Sequence, residues 1–580
     1  MTTDNNDAGA ALERLSSNLQ RVDALTQRLL AAVAHKKPLR TSLQGPSQEL
    51  FTKAATAYLT EMMSNPSRMM EQQIAYWGQS LKHYVASQKN NSDRRFADPM
   101  WSEHPYFNFI KQQYLLNTQA METAVAQMDN LDTRERQKLD FFSRQIMDMF
   151  SPSNFLGTNP QALARAVETD GESLVRGLEN LVRDIEANNG DLMVTLADQG
   201  AFDVGKNLAT TPGKVVFSNH MFELIQYSPT TETVQDVPLV IFPPWINKFY
   251  IMDLRPENSL VKWVVDQGFT LFVVSWINPD ASMRETGVDT YIEDGFLTAI
   301  AKVKEICDVP QLNAAGYCIG GTTLSLTLAL MAKRGDTSVK SATLFTTLTD
   351  FSEQGEMSVF LGDDFVDGIA AEVEEFGMLD NMFMSRTFSF LRSNDLIYGP
   401  AIRHYMMGET PPAFDLLYWN GDGTNLPGRM AIEYLRGLCQ QNRFADGGFE
   451  VCGEQLHLSD VAVPLLAVAC ETDHIAAWDQ SYRGVQQMQG TERRFILAES
   501  GHVAGIINPP KRNKYGYYTN PDLQADPADW QSNAEHHAGS WWPAWQDWLL
   551  LHCGNTVKAR KPKAAKGLKL IDAPGTYVQK

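Results

Sequence analysis

With 580 residues, 43% of them hydrophobic, the chain can bury a large core and form several domains of roughly 100–200 residues each. Its 50 Lys and Arg against 69 Asp and Glu leave a net charge of −19, which argues against bulk nucleic-acid binding. Six cysteines (307, 318, 439, 452, 470, 553) form no CxxC pair, as expected of free thiols in a reducing cytoplasm; there is no apolar run of about 18 residues to cross a membrane, and the start, Met1-Thr-Thr-Asp-Asn-Asn-Asp7, does not read as a signal peptide.

In chain order, residues 1–10 read as a disordered tail. Apolar positions at helical spacing follow over 11–34: Leu12, Leu15, Leu19, Val22, Leu25, Leu29 and Val33. This stripe fits a helix packing on its own protein, and it also fits a partner-binding device. Helical patterns continue to about 197, interrupted at 92–105 and 151–160, with Trp101, Tyr106, Phe107 and Phe109 reading as exposed. Residues 1–200 are therefore expected to form an all-helical N-terminal domain. From about 210 the pattern changes. Apolar strands are expected at 237–242, 269–276, 342–347, 464–470 and 494–498, with helices at 258–268 and 291–307 between the first of them and the strand before residue 318. Strands alternating with helices predict a parallel sheet covered on both faces, an α/β catalytic domain over 201–555. The alternation fails over about 350–440, a Phe-, Met- and Leu-rich insert expected to cap the site. Residues 556–580 read as a basic, solvated C-terminal tail.

The chemistry concentrates at Gly316-Tyr317-Cys318-Ile319-Gly320, a Gly-x-Cys-x-Gly elbow with cysteine where serine usually stands. Apolar residues precede it and a helical run, 322–333, follows. Strand, sharp turn and helix are the setting of the α/β-hydrolase fold, in which the apex side chain stands clear of the sheet. The Ile319 N–H then lies at a helix start, where it can donate to an oxyanion. The plainer alternative is a buried structural cysteine on a Gly-rich turn.

An elbow nucleophile needs a base and a group that orients it, in the chain order nucleophile, acid, histidine. Asp473 follows the strand 464–470 and His502 follows the strand 494–498, both at strand ends. His474 is a rival base and Asp350 a rival acid. A second oxyanion donor is expected from the loop Pro243-Pro-Trp-Ile-Asn-Lys248. Its prolines lack N–H groups, so Trp245 and Ile246 are the first donors available, and Trp245 is taken as the candidate beside Ile319. No GxGxxG or P-loop motif is present, and His536-His537 lacks metal-ligand spacing, so no cofactor or metal is expected. Trp541, Trp542 and Pro543 read as packing or interface residues.

Over nearly its whole length the chain resembles class I poly(3-hydroxyalkanoate) synthases, the polyhydroxybutyrate polymerases. The likeness rests on Asp93-Arg-Arg-Phe-Ala-Asp-Pro-Met-Trp-Ser102, Ser151-Pro-Ser-Asn-Phe155, Gly171-Glu-Ser-Leu-Val-Arg-Gly177, Pro243–Lys248 and Asn278-Pro-Asp280. It continues through Gly316-Tyr-Cys-Ile-Gly-Gly-Thr322, Phe414-Asp-Leu-Leu-Tyr-Trp-Asn-Gly421, Ser500-Gly-His-Val-Ala-Gly-Ile-Ile-Asn-Pro-Pro510 and Ser540-Trp-Trp-Pro543. Tyr317 and Ile319 on either side of the cysteine look like class I rather than the medium-chain class II. The resemblance implies an acylated Cys318, His502 as its base and Asp473 as third member, with no departure at these positions. It also implies a cap, a helical N-terminal domain, a homodimer and residence on cytoplasmic polyester granules, with a granule-coating protein as a further partner. The implied substrate is (R)-3-hydroxyacyl-CoA, whose CoA is a leaving group and not a cofactor. The acidic surface does not attract an anionic CoA ester, so its site needs local basic residues. A cysteine at the elbow suits this chemistry, because a thioester passed to a thiol remains a thioester and stays activated. Two other classes stay open: a cysteine hydrolase or thioesterase on the same fold, and a non-catalytic granule-surface protein. Whether Asp473 orients His502 or activates the substrate 3-hydroxyl is open as well.

Overall fold

Aliphatic runs build the centre of the molecule in the computed structural model, which describes residues 3–34, 93–128, 131 and 133–580. Among these, eleven strands form one sheet: β1 (Gly213–Ser218), β2 (Phe222–Tyr227), β3 (Leu239–Phe242), β4 (Leu271–Trp276), β5 (Leu312–Tyr317), β6 (Val339–Phe345), β7 (Leu465–Cys470), β8 (Arg493–Ala498), β9 (Tyr517–Thr519), β10 (Glu535–His537) and β11 (Ile571–Asp572). Their spatial order is β10-β9-β8-β7-β6-β5-β3-β4-β2-β1-β11. The six strands from β8 to β4 run parallel. These form the parallel sheet expected from the sequence, and antiparallel strands extend it at both edges. β3, β4, β5 and β7 are buried at every residue, as strands covered on both faces must be. The elbow strand β5 lies between β3 and β6, and the loops expected to supply acid and base leave β7 and β8. All three therefore open at the C-terminal edge of the parallel strands, where side chains of α/β sheets meet ligands.

Contacts divide the chain into two compact units, residues 1–198 with 386–412, and 199–385 with 413–580. The insert expected as a cap over 350–440 is thus split, with 386–412 belonging to the first unit. There Asn180 donates to the His404 and Glu409 carbonyls, and the Tyr405 hydroxyl donates to Asp184 at 2.6 Å. Gly177 is required here, because a Cβ would lie 1.9 Å from the Tyr405 carbonyl oxygen.

The described residues of the first unit are mainly helical. The helix Thr3–Ala34 includes residues 3–10, expected as a disordered tail. This helix packs on Glu172–Ala187 through Val22, Leu25 and Leu29 against Val175, Leu178 and Val182. Arg21 pairs with Glu172 and Glu179, and Arg28 with Glu186, along the same seam. Part of the apolar stripe therefore packs on its own protein. Trp101 and Phe107, expected to be exposed, are buried with Phe96 and Tyr114, while Tyr106 and Phe109 are exposed as expected. The helical reading over 35–92 lies outside the described residues.

The C-terminal stretch is not a solvated tail. Thr556–Lys558 pairs with Thr233–Gln235, Arg560 bridges to Asp236, and β11 pairs with β1. The buried Glu223 carboxylate accepts from Thr576 and Tyr577, so this segment satisfies a charge inside the sheet.

Candidate active site

The chain leaves β5 and enters the helix Ile319–Lys333 through one residue, Cys318, at φ +53° and ψ −124°. Few non-glycine residues accept a positive φ, and here the surroundings enforce it. The Cys318 N–H donates to the Phe345 carbonyl at 2.8 Å, and its carbonyl accepts from Gly321 at 2.8 Å and Thr322 at 3.2 Å. The glycines around the elbow sit where neighbouring atoms leave no room for a Cβ. At Gly316 that atom would lie 2.5 Å from the Gly321 Cα, at Gly320 2.5 Å from the Phe242 oxygen, and at Gly321 2.0 Å from the Thr347 Oγ1. The Ile319 N–H opens the helix and makes no hydrogen bond among the described residues.

Two parallel strands carry the other members. β7 and β8 remain tied past their ends, Glu471 N–H to the Ala498 carbonyl at 2.9 Å and Thr472 N–H to Ser500 at 3.0 Å. This brings the loop holding Asp473 beside the loop holding His502. The His502 Nδ1 lies 2.6 Å from the Asp473 Oδ2. The Asp473 Oδ1 accepts from the Ile475 N–H at 2.8 Å and the Ala476 N–H at 2.9 Å, so both oxygens are held. Burial disfavours a charged imidazole, but the Asp473 carboxylate and Cys318 beside it outweigh burial and hold His502 well above its ordinary value. Burial pushes other thiols up, Cys307 to about 11 and Cys439, Cys452 and Cys553 to about 12.

The rival acid is engaged elsewhere. Asp350 accepts from Ser352, Asn442 and Gln487, the last at 2.6 Å, and these contacts employ both of its oxygens. The Asp473 carboxylate holds the imidazole of His502. Trp245 lies in the loop after β3, buried, with its indole N–H donating to Thr323 Oγ1 of the elbow helix at 3.1 Å. The preceding Phe242 and Pro243 carbonyls press on Gly320 of the same helix, so loop and helix start are in direct contact.

Three further residues support this constellation. The Tyr317 hydroxyl donates to the His502 carbonyl at 3.1 Å, and its ring stacks on the imidazole at 5.9 Å. The Trp541 and Trp542 indoles donate to the Gly505 and Ile506 carbonyls at 2.8 and 2.9 Å, pinning the loop after His502. Their clustering with Pro543 was a visible signal, but their partners some 36 positions earlier were not.

Fold and site together define an α/β-hydrolase with Cys318, His502 and Asp473 gathered at its elbow. The family model described as "Poly-beta-hydroxybutyrate polymerase (PhaC) N-terminus" matches residues 92–264, and the one described as "alpha/beta hydrolase fold" matches 238–509. The poly(3-hydroxyalkanoate) polymerase of Methylorubrum extorquens is 39% identical over 553 residues, covering 93% of this chain and 91% of that protein. Subunit PhaC of the corresponding polymerase from Cupriavidus necator is 40% identical, covering 88% of this chain and 87% of its own. The chain belongs to the poly(3-hydroxyalkanoate) polymerase family, whose members are acyltransferases. A solved monoglyceride lipase from Saccharomyces cerevisiae is a more distant likeness, 10% identical, covering 52% of this chain and 90% of its own, with a TM-score of 0.35. Among the described residues no helix is long and apolar enough to cross a membrane.

Proposed function

We propose that this enzyme polymerises (R)-3-hydroxyacyl-CoA, with 3-hydroxybutyryl-CoA as its main substrate, into polyester and releases CoA through a thioester on Cys318. The observation that carries this reading is the Cys318 elbow facing a His502 imidazole held by Asp473 at 2.6 Å, in a chain of polymerase ancestry. His502 takes the Cys318 proton, and the imidazolium is stabilised by the Asp473 carboxylate. The thiolate attacks the thioester carbonyl, and the resulting oxyanion draws on the Ile319 N–H and a donor from the Trp245–Ile246 loop. Collapse breaks the bond to CoA, which leaves as a thiol after taking the proton from His502. The 3-hydroxyl of a growing chain or of the next monomer then gives its proton to His502 and attacks the acyl thioester, forming the ester bond and freeing Cys318. Asp473 acts as the orienting group, because its second oxygen is already occupied by two backbone N–H groups. CoA is the leaving group, and the cycle calls on no cofactor.

Residence on cytoplasmic polyester granules, as a homodimer and beside a granule-coating protein, belongs to the same proposal. Exposed Phe109, Phe150, Phe155 and Val167 on the first unit support an apolar contact of this kind. The test is thiol release from (R)-3-hydroxybutyryl-CoA with isolation of the product. Polymer supports the reading. Free 3-hydroxybutyrate alone would favour a thioesterase, and no release at all a non-catalytic role.

A further inference from the structure

Within its own unit the loop Pro243–Lys248 meets the Trp276 indole, which donates to the Pro243 carbonyl at 3.0 Å, and the Tyr291 and Tyr434 rings, which flank Trp245; two further neighbours bear on its later peptides. On one side lies the start of the elbow helix, through Gly320 and Thr323. On the other lies the segment 419–424, which takes three of the loop's carbonyls. Thr424 Oγ1 donates to the Trp245 carbonyl at 2.9 Å, the Thr424 N–H to the Ile246 carbonyl at 3.3 Å, and the Trp419 indole to the Lys248 carbonyl at 2.7 Å. Asp422 adds an ion pair to Lys248 at 2.8 Å and accepts from the Tyr250 hydroxyl at 2.8 Å. Thr424 is 2% exposed, so water does not compete for its hydroxyl.

In a trans peptide the C=O and N–H point in opposite directions. Holding the Trp245 carbonyl on Thr424 therefore turns the Ile246 N–H away from the segment 419–424. We infer that Thr424 is a positioning residue: its hydroxyl fixes the Trp245–Ile246 peptide so that the Ile246 N–H serves as the second oxyanion donor. The assignment rests on the acyl-transfer reading of Cys318 and refines it, moving the second donor from Trp245, the candidate put forward from sequence, to its neighbour Ile246. Without the hydroxyl, the buried Trp245 carbonyl loses its partner and the peptide is free to rotate.

Two measurements on the full chain test this: CoA release from (R)-3-hydroxybutyryl-CoA, and alkylation of Cys318 by iodoacetamide, which needs the thiolate but forms no oxyanion. Thr424→Val should lower kcat by about tenfold or more, with KM within about threefold of wild type and an unchanged alkylation rate. Thr424→Ser, which keeps the hydroxyl, should recover most of kcat. Thr424→Ala is the second variant without a donor, should the valine chain fail to fold. Wild-type kcat in both variants lacking the hydroxyl, or a parallel fall in alkylation, overturns the positioning role and leaves the polymerase reading standing. A wild-type chain that alkylates but releases no CoA contradicts the polymerase reading itself, and the role of Thr424 falls with it.

Discussion

His502 has two partners that favour its proton and one environment that opposes it. Burial lowers its pKa, whereas Asp473 and Cys318 raise it, and the net direction is well above 6.5. A histidine raised on folding contributes stability that is complete below about pH 6.5 and is lost as pH rises through the folded value. Asp473→Asn removes the leading attraction and leaves burial, so the His502 imidazole should titrate at lower pH than in wild type. Histidine-labelled NMR would follow it; an unchanged or higher midpoint would contradict the assignment of Asp473 as its partner. Thiol identity is testable at the same scale. Substoichiometric iodoacetamide near pH 7 should label Cys318 before Cys307, Cys439, Cys452 or Cys553, whose thiols burial pushes up to about 11 or 12. Preferential labelling of any of these four in the folded chain would oppose that ranking.

At the scale of elements, the elbow is a packing problem solved with glycines. Gly320→Ala places a Cβ 2.5 Å from the Phe242 oxygen and 2.6 Å from the Pro243 oxygen, both backbone atoms that cannot swing aside. The expected cost is about 1–3 kcal/mol or more, with loss of CoA release. A thermal melt and activity equal to wild type would show that the loop after β3 is not held against the helix. The His502 loop depends on a different element, the start of the helix Trp542–Leu551. Trp541→Phe keeps an aromatic ring, though a smaller one, and leaves the Gly505 carbonyl without its donor, a loss of about 1–3 kcal/mol for a buried group. Turnover should fall with it, and full turnover would mean that the loop holds itself. The strands around this site were legible because β3, β4, β5 and β7 are nearly continuous apolar runs. The hairpin β1–β2 was not. β2 is buried throughout yet contains Glu223 and Gln226, and their partners, Thr576 and Lys563, lie more than 300 positions later in the chain. No local pattern carries that information. Asp350 and Asp473 likewise stand alike at strand ends, and contacts made from later in the chain separate them, Asn442 and Gln487 on Asp350 and His502 on Asp473.

For the whole molecule, the first unit contains none of Cys318, Asp473 or His502. The helix Thr3–Ala34 uses Val22, Leu25 and Leu29 on Glu172–Ala187, and its Arg21 and Arg28 pairs are solvent-accessible and weakened by salt. Deleting residues 1–34 should therefore lower the melting temperature and expose Val175 and Val182, while Cys318 remains able to take an acyl group. Loss of acylation in a folded truncated chain would mean that this region shapes the active site.

The central claim is a covalent acyl group on Cys318. Full-length wild type, mixed with (R)-3-hydroxybutyryl-CoA and quenched in acid within the first turnovers, should yield a peptide containing Cys318 that carries one or more 3-hydroxybutyryl units. Hydroxylamine should remove them, as it cleaves thioesters readily. Cys318→Ala should yield no acylated peptide and release no CoA while keeping its fold. An alanine variant that still releases CoA and makes polymer, or a wild-type adduct located on any other residue, would contradict the account.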